Sequence, residues 1–230
     1  VTYQGNVLEE GVDYTCAANL ADGSTEWKVG EKAQLAVSGT GNYKGFVVCD
    51  YRICADFSGE LDVPEISEQT YTGSPIEIAS LYTLHPDSAL NEDDLNVDYK
   101  NNINAGTATV TISPKTTTEF GGKIEKTFTI NPVNISTSPD VTFDYDKNVV
   151  YNPETKNATP PTVTVTYKGN TLVAGEDYKV TNTGFQNAGK SNITLDADNG
   201  TNVTKNYVGS KSLDVTVNPY ALNNTSITVT

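Results

Sequence analysis

An internal repeat constrains the fold of this chain more than any other feature. Residues 165–180 read VTYKGNTLVAGEDYKV and residues 1–16 read VTYQGNVLEEGVDYTC, so nine of sixteen positions are identical without a gap. Unrelated sequences of this composition would share about one. Residues 94–112 align with 177–195 in the same way, with six identities. The sequence therefore predicts an array built from one repeated module.

Two Asn-Pro pairs indicate where the modules end. Asn131-Pro132 and Asn218-Pro219 each follow an apolar strand-like run, and a proline cannot donate to a sheet ladder, so it stops the strand. We predict an Ig-like module at 1–59 that lacks its first strands, further modules at 60–133 and 134–219, and the opening strand of another module at 220–230. The linkers are only a few residues long, which favours a stiff row of modules.

The apolar pattern alternates and has no helical period. In residues 108–112 the alternation places Ala108, Val110 and Ile112 on an inward face. Cys49, Tyr51 and Ile53 share one face in the same way, which predicts a half-buried strand. Short strands separated by Gly and Asn turns predict an all-β fold, made of small antiparallel β-sandwich modules in a row.

The repeated motifs resemble a known family. Each module carries parts of one pattern: Tyr71-x-Gly73; Leu172 followed by Asp177-Tyr178; Asn104-Ala105-Gly106; Gly41-Asn42-Tyr43-x-Gly45; and Phe128-x-Ile130. This pattern resembles the bacterial immunoglobulin-like repeats of the MBG or YDG type, which large secreted or wall-attached proteins carry in tandem. The resemblance implies an Ig-like fold and an extracellular or cell-surface location. The chain departs from the pattern at Leu95, where tyrosine is expected, and at Lys205, where glycine is expected.

Composition and charge argue against several classes of function. The net charge of −14 is spread along the chain without a basic patch, so we expect no binding to nucleic acid. No apolar run approaches eighteen residues, so we expect no membrane insertion in this segment. The single histidine, His85, has no partner at a recognisable spacing, and we expect no enzymatic activity and no cofactor. The acidic loop 196–201 has its glycine one position too early for an EF-hand, so we expect no metal site.

All three cysteines lie in the first predicted module. Matching the repeats places Cys16 at the position of Val180 and Cys49 at that of Leu213, and both positions suggest a core. The sequence leaves two alternatives open, a Cys16–Cys49 disulfide or two buried thiols. Cys54 stays unpaired in either case.

The repeated Asp-Tyr pairs have a structural explanation. Asp13 and Asp177 each follow a glycine-containing turn and precede a tyrosine. We expect the carboxylates to accept hydrogen bonds from backbone N–H groups of the turn, and the tyrosines to pack inward.

These observations support three hypotheses of function. The first is a non-enzymatic extracellular stalk or spacer of a bacterial surface adhesin or scaffold, whose partners are its neighbouring modules. The second is a fibre subunit that joins identical chains end to end, because the first module lacks strands and the C-terminus carries an additional one. Its donor segment would be Ser226, Ile227, Thr228, Val229 and Thr230. The third is a polysaccharide-binding module, with Trp27 and Tyr43 stacking on the glycan.

Overall fold

The computed structural model describes residues 1–20, 23, 25–116, 119–201 and 205–222. The described residues contain strands and two short 3-10 turns, Phe57–Gly59 and Glu92–Asp94, and no α-helix. The predicted all-β class is therefore confirmed. Among the same residues, no helix is long and apolar enough to cross a membrane.

The strands of the described residues are short and follow one another along the whole chain. Up to residue 70 they are β1 (Thr2–Tyr3), β2 (Asn6–Val7), β3 (Tyr14–Leu20), β4 (Lys32–Gly39), β5 (Phe46–Arg52), β6 (Ala55–Asp56), β7 (Leu61–Asp62) and β8 (Gln69–Thr70). The next are β9 (Thr83–Leu84), β10 (Leu95–Lys100), β11 (Gly106–Pro114), β12 (Phe120–Gly121), β13 (Ile124–Asn131) and β14 (Val133–Asn134). The last are β15 (Val141–Asp144), β16 (Asn148–Val150), β17 (Thr164–Tyr167), β18 (Asn170–Thr171), β19 (Lys179–Thr183), β20 (Gly189–Asp196), β21 (Tyr207–Val208) and β22 (Ser210–Asn218).

The chain divides into two compact units. Unit 1 consists of Val1–Glu65, Ala79–Asp98 and Val110–Lys126, and unit 2 of Ile66–Ile78, Tyr99–Thr109 and Thr127–Thr230. Residues of the predicted module 60–133 thus contribute to both units. The division into three modules stays a prediction.

Unit 1 contains an antiparallel sheet of the order β3-β4-β5. Its central strand pairs Val37 with Cys16 on one side and with Val47 on the other. The side chains on one face of this sheet are almost entirely apolar. They include the cross-strand pairs Ala33–Tyr51, Leu35–Cys49 and Val37–Val47.

Unit 2 contains two sheets that face a common core. One has the order β16-β22-β20-β19 and the other β15-β17-β18. Strands β19, β20 and β22 are antiparallel, whereas β16 joins the outer edge of β22 in parallel. The core between them includes Val165, Ile193, Leu195, Leu213, Val215 and Val217, each at most 5% exposed.

A further sheet has the order β10-β11-β13-β8. On β11 the side chains of Ala108, Val110 and Ile112 are at most 1% exposed, so the predicted inward face is confirmed. For Cys49, Tyr51 and Ile53, in and just after β5, the corresponding prediction is wrong at two of the three residues. Tyr51 is 38% exposed and Cys49 is also exposed, while Ile53 is half-buried. Apolar alternation identifies a face, but it does not reveal whether a second layer covers that face.

Candidate functional site

A two-residue parallel strand pair lies where the predicted second and third modules meet. Val133 of β14 pairs with Tyr207 of β21, and Asn134 pairs with Val208. The N–H of Val133 donates to the carbonyl of Asn206 over 2.9 Å, and the N–H of Ile135 donates to the carbonyl of Val208 over 2.9 Å. Both donor residues are buried, at 2% and 1% exposure. We call residues 133–136 with residues 206–209 the second joint.

Asn206 connects the second joint to the Asn-Ala-Gly turn of the predicted second module. Its Nδ2 donates to Asn104 Oδ1 over 3.0 Å, and its Oδ1 accepts the N–H of Ala105 over 2.8 Å. The residue is only 6% exposed. A buried amide with these partners holds two turns together, because breaking either bond would leave a polar group unsatisfied.

Three tyrosines pack beside the second joint. Tyr71 stacks on Tyr167, with ring centroids 6.3 Å apart, and Tyr207 meets both rings edge-on at 5.6 and 6.0 Å. The hydroxyl of Tyr167 donates to the carbonyl of Tyr71 over 2.7 Å. Burial, and then the nearby Tyr71 and Asp177, raise the pKa of Tyr207 far above its ordinary value. Such aromatic packing adds about 0.5–1.5 kcal/mol per pair to the effect of buried area.

The same arrangement occurs in unit 1, and we call residues 55–58 with residues 119–122 the first joint. Ala55 pairs in parallel with Phe120, and its N–H donates to the carbonyl of Glu119 over 2.9 Å. Phe57, two residues further on, is fully buried. It takes the position that Ile135 has in the second joint.

A carboxylate or amide forms the same turn in both joints. Asp56 accepts the N–H of Ser58 over 3.0 Å and its hydroxyl over 2.8 Å. Asn134 accepts the N–H and the hydroxyl of Ser136 over 2.9 and 2.7 Å. The backbone and side-chain hydrogen bonds from Ser58 hold the pKa of Asp56 below its usual range.

A glycine with positive φ faces this side chain in each joint. Gly122 has φ +97° and a Cβ there would lie 3.6 Å from Asp56 Oδ1. Gly209 has φ +84° and a Cβ would lie 2.6 Å from Asn134 Oδ1. Any larger residue at 209 would therefore displace the side chain of Asn134 and disturb its hydrogen bonds to Ser136.

A cleft of about 570 Å³ opens in unit 1 at the end of the sheet β3-β4-β5. Its wall includes Tyr3 and Tyr43, whose rings meet edge-on with centroids 6.0 Å apart. Tyr14, Val37, Gly45 and Val47 also line it. The polar residues Thr2, Asp13, Asn42 and Lys44 line it too, so the cleft is mixed in character. Two of its apolar side chains are well exposed, Val47 at 62% and Phe46 at 74%.

The two residues predicted to contact a glycan lie apart. Tyr43 lines the cleft beyond the last residue of β4, whereas Trp27, which is 49% exposed, precedes the first residue of β4. The eight residues of β4 at about 3.4 Å each separate these ends by over 20 Å. The two residues thus lie beyond opposite ends of β4, and their contact with a glycan stays a prediction.

The cysteines are free, and the predicted Cys16–Cys49 bridge does not fit the sheet. Cys16 lies on β3 and Cys49 on β5, with β4 between them. Two strand spacings amount to about 10 Å, more than the roughly 4.4–6.8 Å between the Cα atoms of a disulfide. The alternative of two buried thiols is also wrong, because Cys16 is half-buried and Cys49 is exposed.

The Asp-Tyr turns agree with their predicted role. Asp13 Oδ2 accepts the N–H of Glu9 over 3.0 Å, and Asp177 Oδ2 accepts the N–H of Val173 over 2.8 Å. The tyrosines that follow, Tyr14 and Tyr178, are 9% and 2% exposed. These aspartates hold turns.

The remaining polar candidates form local contacts. His85 Nε2 lies 3.3 Å from Asp62 Oδ2, and that carboxylate is 84% exposed, so this is a surface pair. In loop 196–201, the carboxylate of Asp196 accepts the N–H of Asp198 over 3.1 Å and the amide of Asn199 over 2.7 Å. Within the described ranges, no group of three or more His, Cys, Asp or Glu residues could hold a metal ion.

Sequence reasoning found Pro132 in the linker before the second joint, but not the strand with which that linker pairs. The sequence does contain a signal for this strand, because the motif Asn206-Tyr207-x-Gly209 repeats Asn42-Tyr43-x-Gly45. The predicted donor residues Ser226, Ile227, Thr228, Val229 and Thr230 lie outside the described residues. No protein-family model matches the sequence, and no curated protein is significantly similar to it.

Proposed function

We propose that this chain is a non-enzymatic spacer, part of the stalk of an extracellular bacterial adhesin or scaffold, built from tandem Ig-like modules. The observation that carries the proposal is that the same joint occurs twice. A residue near the C-terminal end of one predicted module, Ala55 or Val133, pairs in parallel with an aromatic residue of the next predicted module. A linker that is part of a sheet cannot swivel freely, so each joint fixes the angle between neighbours.

The division into repeated modules is supported by the registers of two sheets. Cys16 pairs with Val37, and that residue with Val47. In unit 2, Val180 pairs with Leu195, and that residue with Lys211. The sequence repeat superimposes Cys16 on Val180, and matching the closing strands superimposes Val47 on Lys211. Strand pairing then gives Val37 and Leu195 the same place in the two sheets. Equal registers at repeated positions are what one module used several times would produce.

The acidic surface suits a spacer. The net charge of −14 disfavours association with neighbouring anionic surfaces and keeps the surface of the array solvated. The joint residues that we single out, Asn206 and Tyr207, are buried. Their role is to hold neighbours at a fixed separation.

A cell-surface experiment tests this role. The chain is inserted between a cell-wall anchor and a small reporter domain, and binding of a soluble ligand is compared with binding of the same ligand on a large bead. We expect the intact chain to support both. An Asn206→Ala/Gly209→Ala variant should retain soluble binding and lose most bead binding. Equal bead binding by a flexible Gly-Ser linker with the same number of residues would contradict the proposal.

A further inference from the structure

Another cleft lies in unit 2, at the turn between β10 and β11. Its volume is about 510 Å³, and residues 101–107 line it. We call it the turn cleft. Small-molecule sites usually have volumes of about 300–1,000 Å³, so the turn cleft has the size of such a site. Trp27 and Tyr43, the glycan contacts predicted from the sequence, are not among the described residues that line it.

Hydrogen bonds hold the turn on two sides. On one side, the N–H of Ile76 donates to the carbonyl of Asn102 over 2.8 Å, and Asn102 Nδ2 donates to the carbonyl of Ile76 over 3.0 Å. On the other side, Asn206 binds Asn104 and Ala105 as described for the second joint. The turn is therefore ordered before any ligand arrives, so a ligand that binds there has little conformational entropy to overcome.

Several polar groups of the turn cleft are not used by the fold. Among the described residues, the side chains of Asn101 and Thr107 have no hydrogen-bond partner, and both residues are exposed. Asn104 accepts a hydrogen bond through Oδ1, and its Nδ2 is available to another acceptor. Ile103, at 43% exposure, adds an apolar surface to the same cleft.

The backbone at Asn101 is in a conformation that favours glycine. The alignment of residues 94–112 with residues 177–195 places Asn101 at the position of Gly184. The φ angles are +57° at Asn101 and +86° at Gly184. Glycine adopts this left-handed region at no steric cost, whereas asparagine adopts it with some strain. A side chain kept at a strained position supports a functional role for that side chain.

The chemistry of the lining indicates the class of ligand. The described residues that line the turn cleft include no charged and no aromatic side chain. An anionic ligand would need a cation there, and peptides bind to free strand edges, to apolar grooves or to basic clusters. Amide and hydroxyl groups both donate and accept hydrogen bonds, and the neighbouring hydroxyls of a sugar do the same. An apolar side chain beside them suits the C–H face of a sugar ring.

We propose that the turn cleft binds a neutral glycan. The amides of Asn101 and Asn104 and the hydroxyl of Thr107 form hydrogen bonds with its hydroxyl groups, and Ile103 packs against its ring. This binding goes beyond the spacer role and does not depend on it.

Two substitutions remove the proposed contacts without disturbing the turn. Asn101→Gly removes an amide and suits the positive φ at this position. Thr107→Val removes a hydroxyl and keeps the branched shape that a strand favours. Asn182→Ala, at an exposed position that does not line the turn cleft, is the matched control. All three residues are exposed, so the variants should fold, and circular dichroism verifies this.

The isotope-labelled chain is titrated with maltose, cellobiose and diacetylchitobiose, and its backbone N–H signals are followed by NMR. We expect at least one of these disaccharides to shift the signals of residues 101–107 in a saturable way, with a Kd of about 0.1–10 mM. The double variant Asn101→Gly/Thr107→Val should bind it about tenfold more weakly or not at all, because two hydrogen bonds are lost. Asn182→Ala should bind it like the native chain.

Three results would overturn the proposal. The first is the absence of a saturable shift at residues 101–107 with all three disaccharides. The second is equal affinity of the native chain and the double variant. The third is an equal shift caused by a capped, uncharged alanine tripeptide, which would mean that the cleft accepts peptides as readily as sugars. None of these results bears on the stiffness of the second joint, so the spacer proposal is tested separately.

Discussion

Asn206 Nδ2 lies 3.0 Å from Asn104 Oδ1, so a buried amide joins residues 102 positions apart in the chain. Replacing Asn206 with alanine should leave the N–H of Ala105 without its acceptor and destabilise unit 2 by about 1–3 kcal/mol. Hydrogen exchange should rise at residues 104–106 and 133–135. The exposed Asn182→Ala is the control and should change stability by at most about 0.5 kcal/mol. Unchanged exchange in Asn206→Ala would contradict the assigned role.

Two glycines with nearly equal backbone angles should respond differently to alanine. At both Gly209 and Gly45, an alanine would have to adopt positive φ, which lowers the free energy of unfolding by about 1–2 kcal/mol. Only at Gly209 would the new Cβ also collide with Asn134, which adds a further 1–3 kcal/mol or so. Urea unfolding at high dilution should therefore show a larger loss for Gly209→Ala than for Gly45→Ala. Equal losses would mean that the side chain of Asn134 does not pack against Gly209.

The burial of Tyr207 predicts that the folded chain loses stability at alkaline pH. Burial raises its pKa in the folded state, so the unfolded chain releases this proton first, near its ordinary pKa of about 10. The stabilisation is complete below pH 10 and is lost as the pH rises above it. For one proton the slope is about 1.4 kcal/mol per pH unit. Tyr207→Phe should flatten this slope in urea titrations between pH 9 and 11, and equal slopes in both proteins would contradict the assignment.

The cysteines should behave as separate thiols. Because Cys49 and Cys54 are exposed and Cys16 is half-buried, a thiol reagent should modify two groups rapidly and one slowly in the native monomer. Mild oxidation of the folded chain should not produce a disulfide between Cys16 and Cys49, since β4 lies between the two residues. Mass spectrometry of a digest should detect the disulfide-linked pair of peptides only if the chain is unfolded before oxidation. Such a peptide from the folded monomer would contradict the sheet register.

Local features of this fold were predictable from sequence because their causes lie within a few residues. Asp13 and Asp177 hold turns four residues away, and the alternation around Val110 needs only its immediate neighbours. The all-β class follows from many such signals together.

The joints and the open face were not predictable because they depend on distant partners. A two-residue strand such as β14 carries no pattern that indicates which edge it joins, and its partner Tyr207 lies 74 residues further along the chain. The burial of Cys49 was predicted wrongly for a similar reason. Its counterpart Leu213 is buried by a second sheet, and sequence similarity between two strands does not show that both are covered.

The stiffness of the second joint tests the central claim most directly. Spin labels are placed at Glu77 and Asn182, exposed positions on either side of the joint in unit 2, after the three native cysteines have been replaced with serine. A second pair at Asp146 and Asn182, both within the predicted third module, reports the width that the labels alone produce. Pulsed electron paramagnetic resonance should give a single narrow distance distribution for the pair Glu77 and Asn182. This distribution should be as narrow as the one for Asp146 and Asn182. Asn206→Ala/Gly209→Ala should broaden it. A broad or multiple distribution in the otherwise unaltered chain would mean that the neighbours swivel, and would contradict a spacer built on fixed joints.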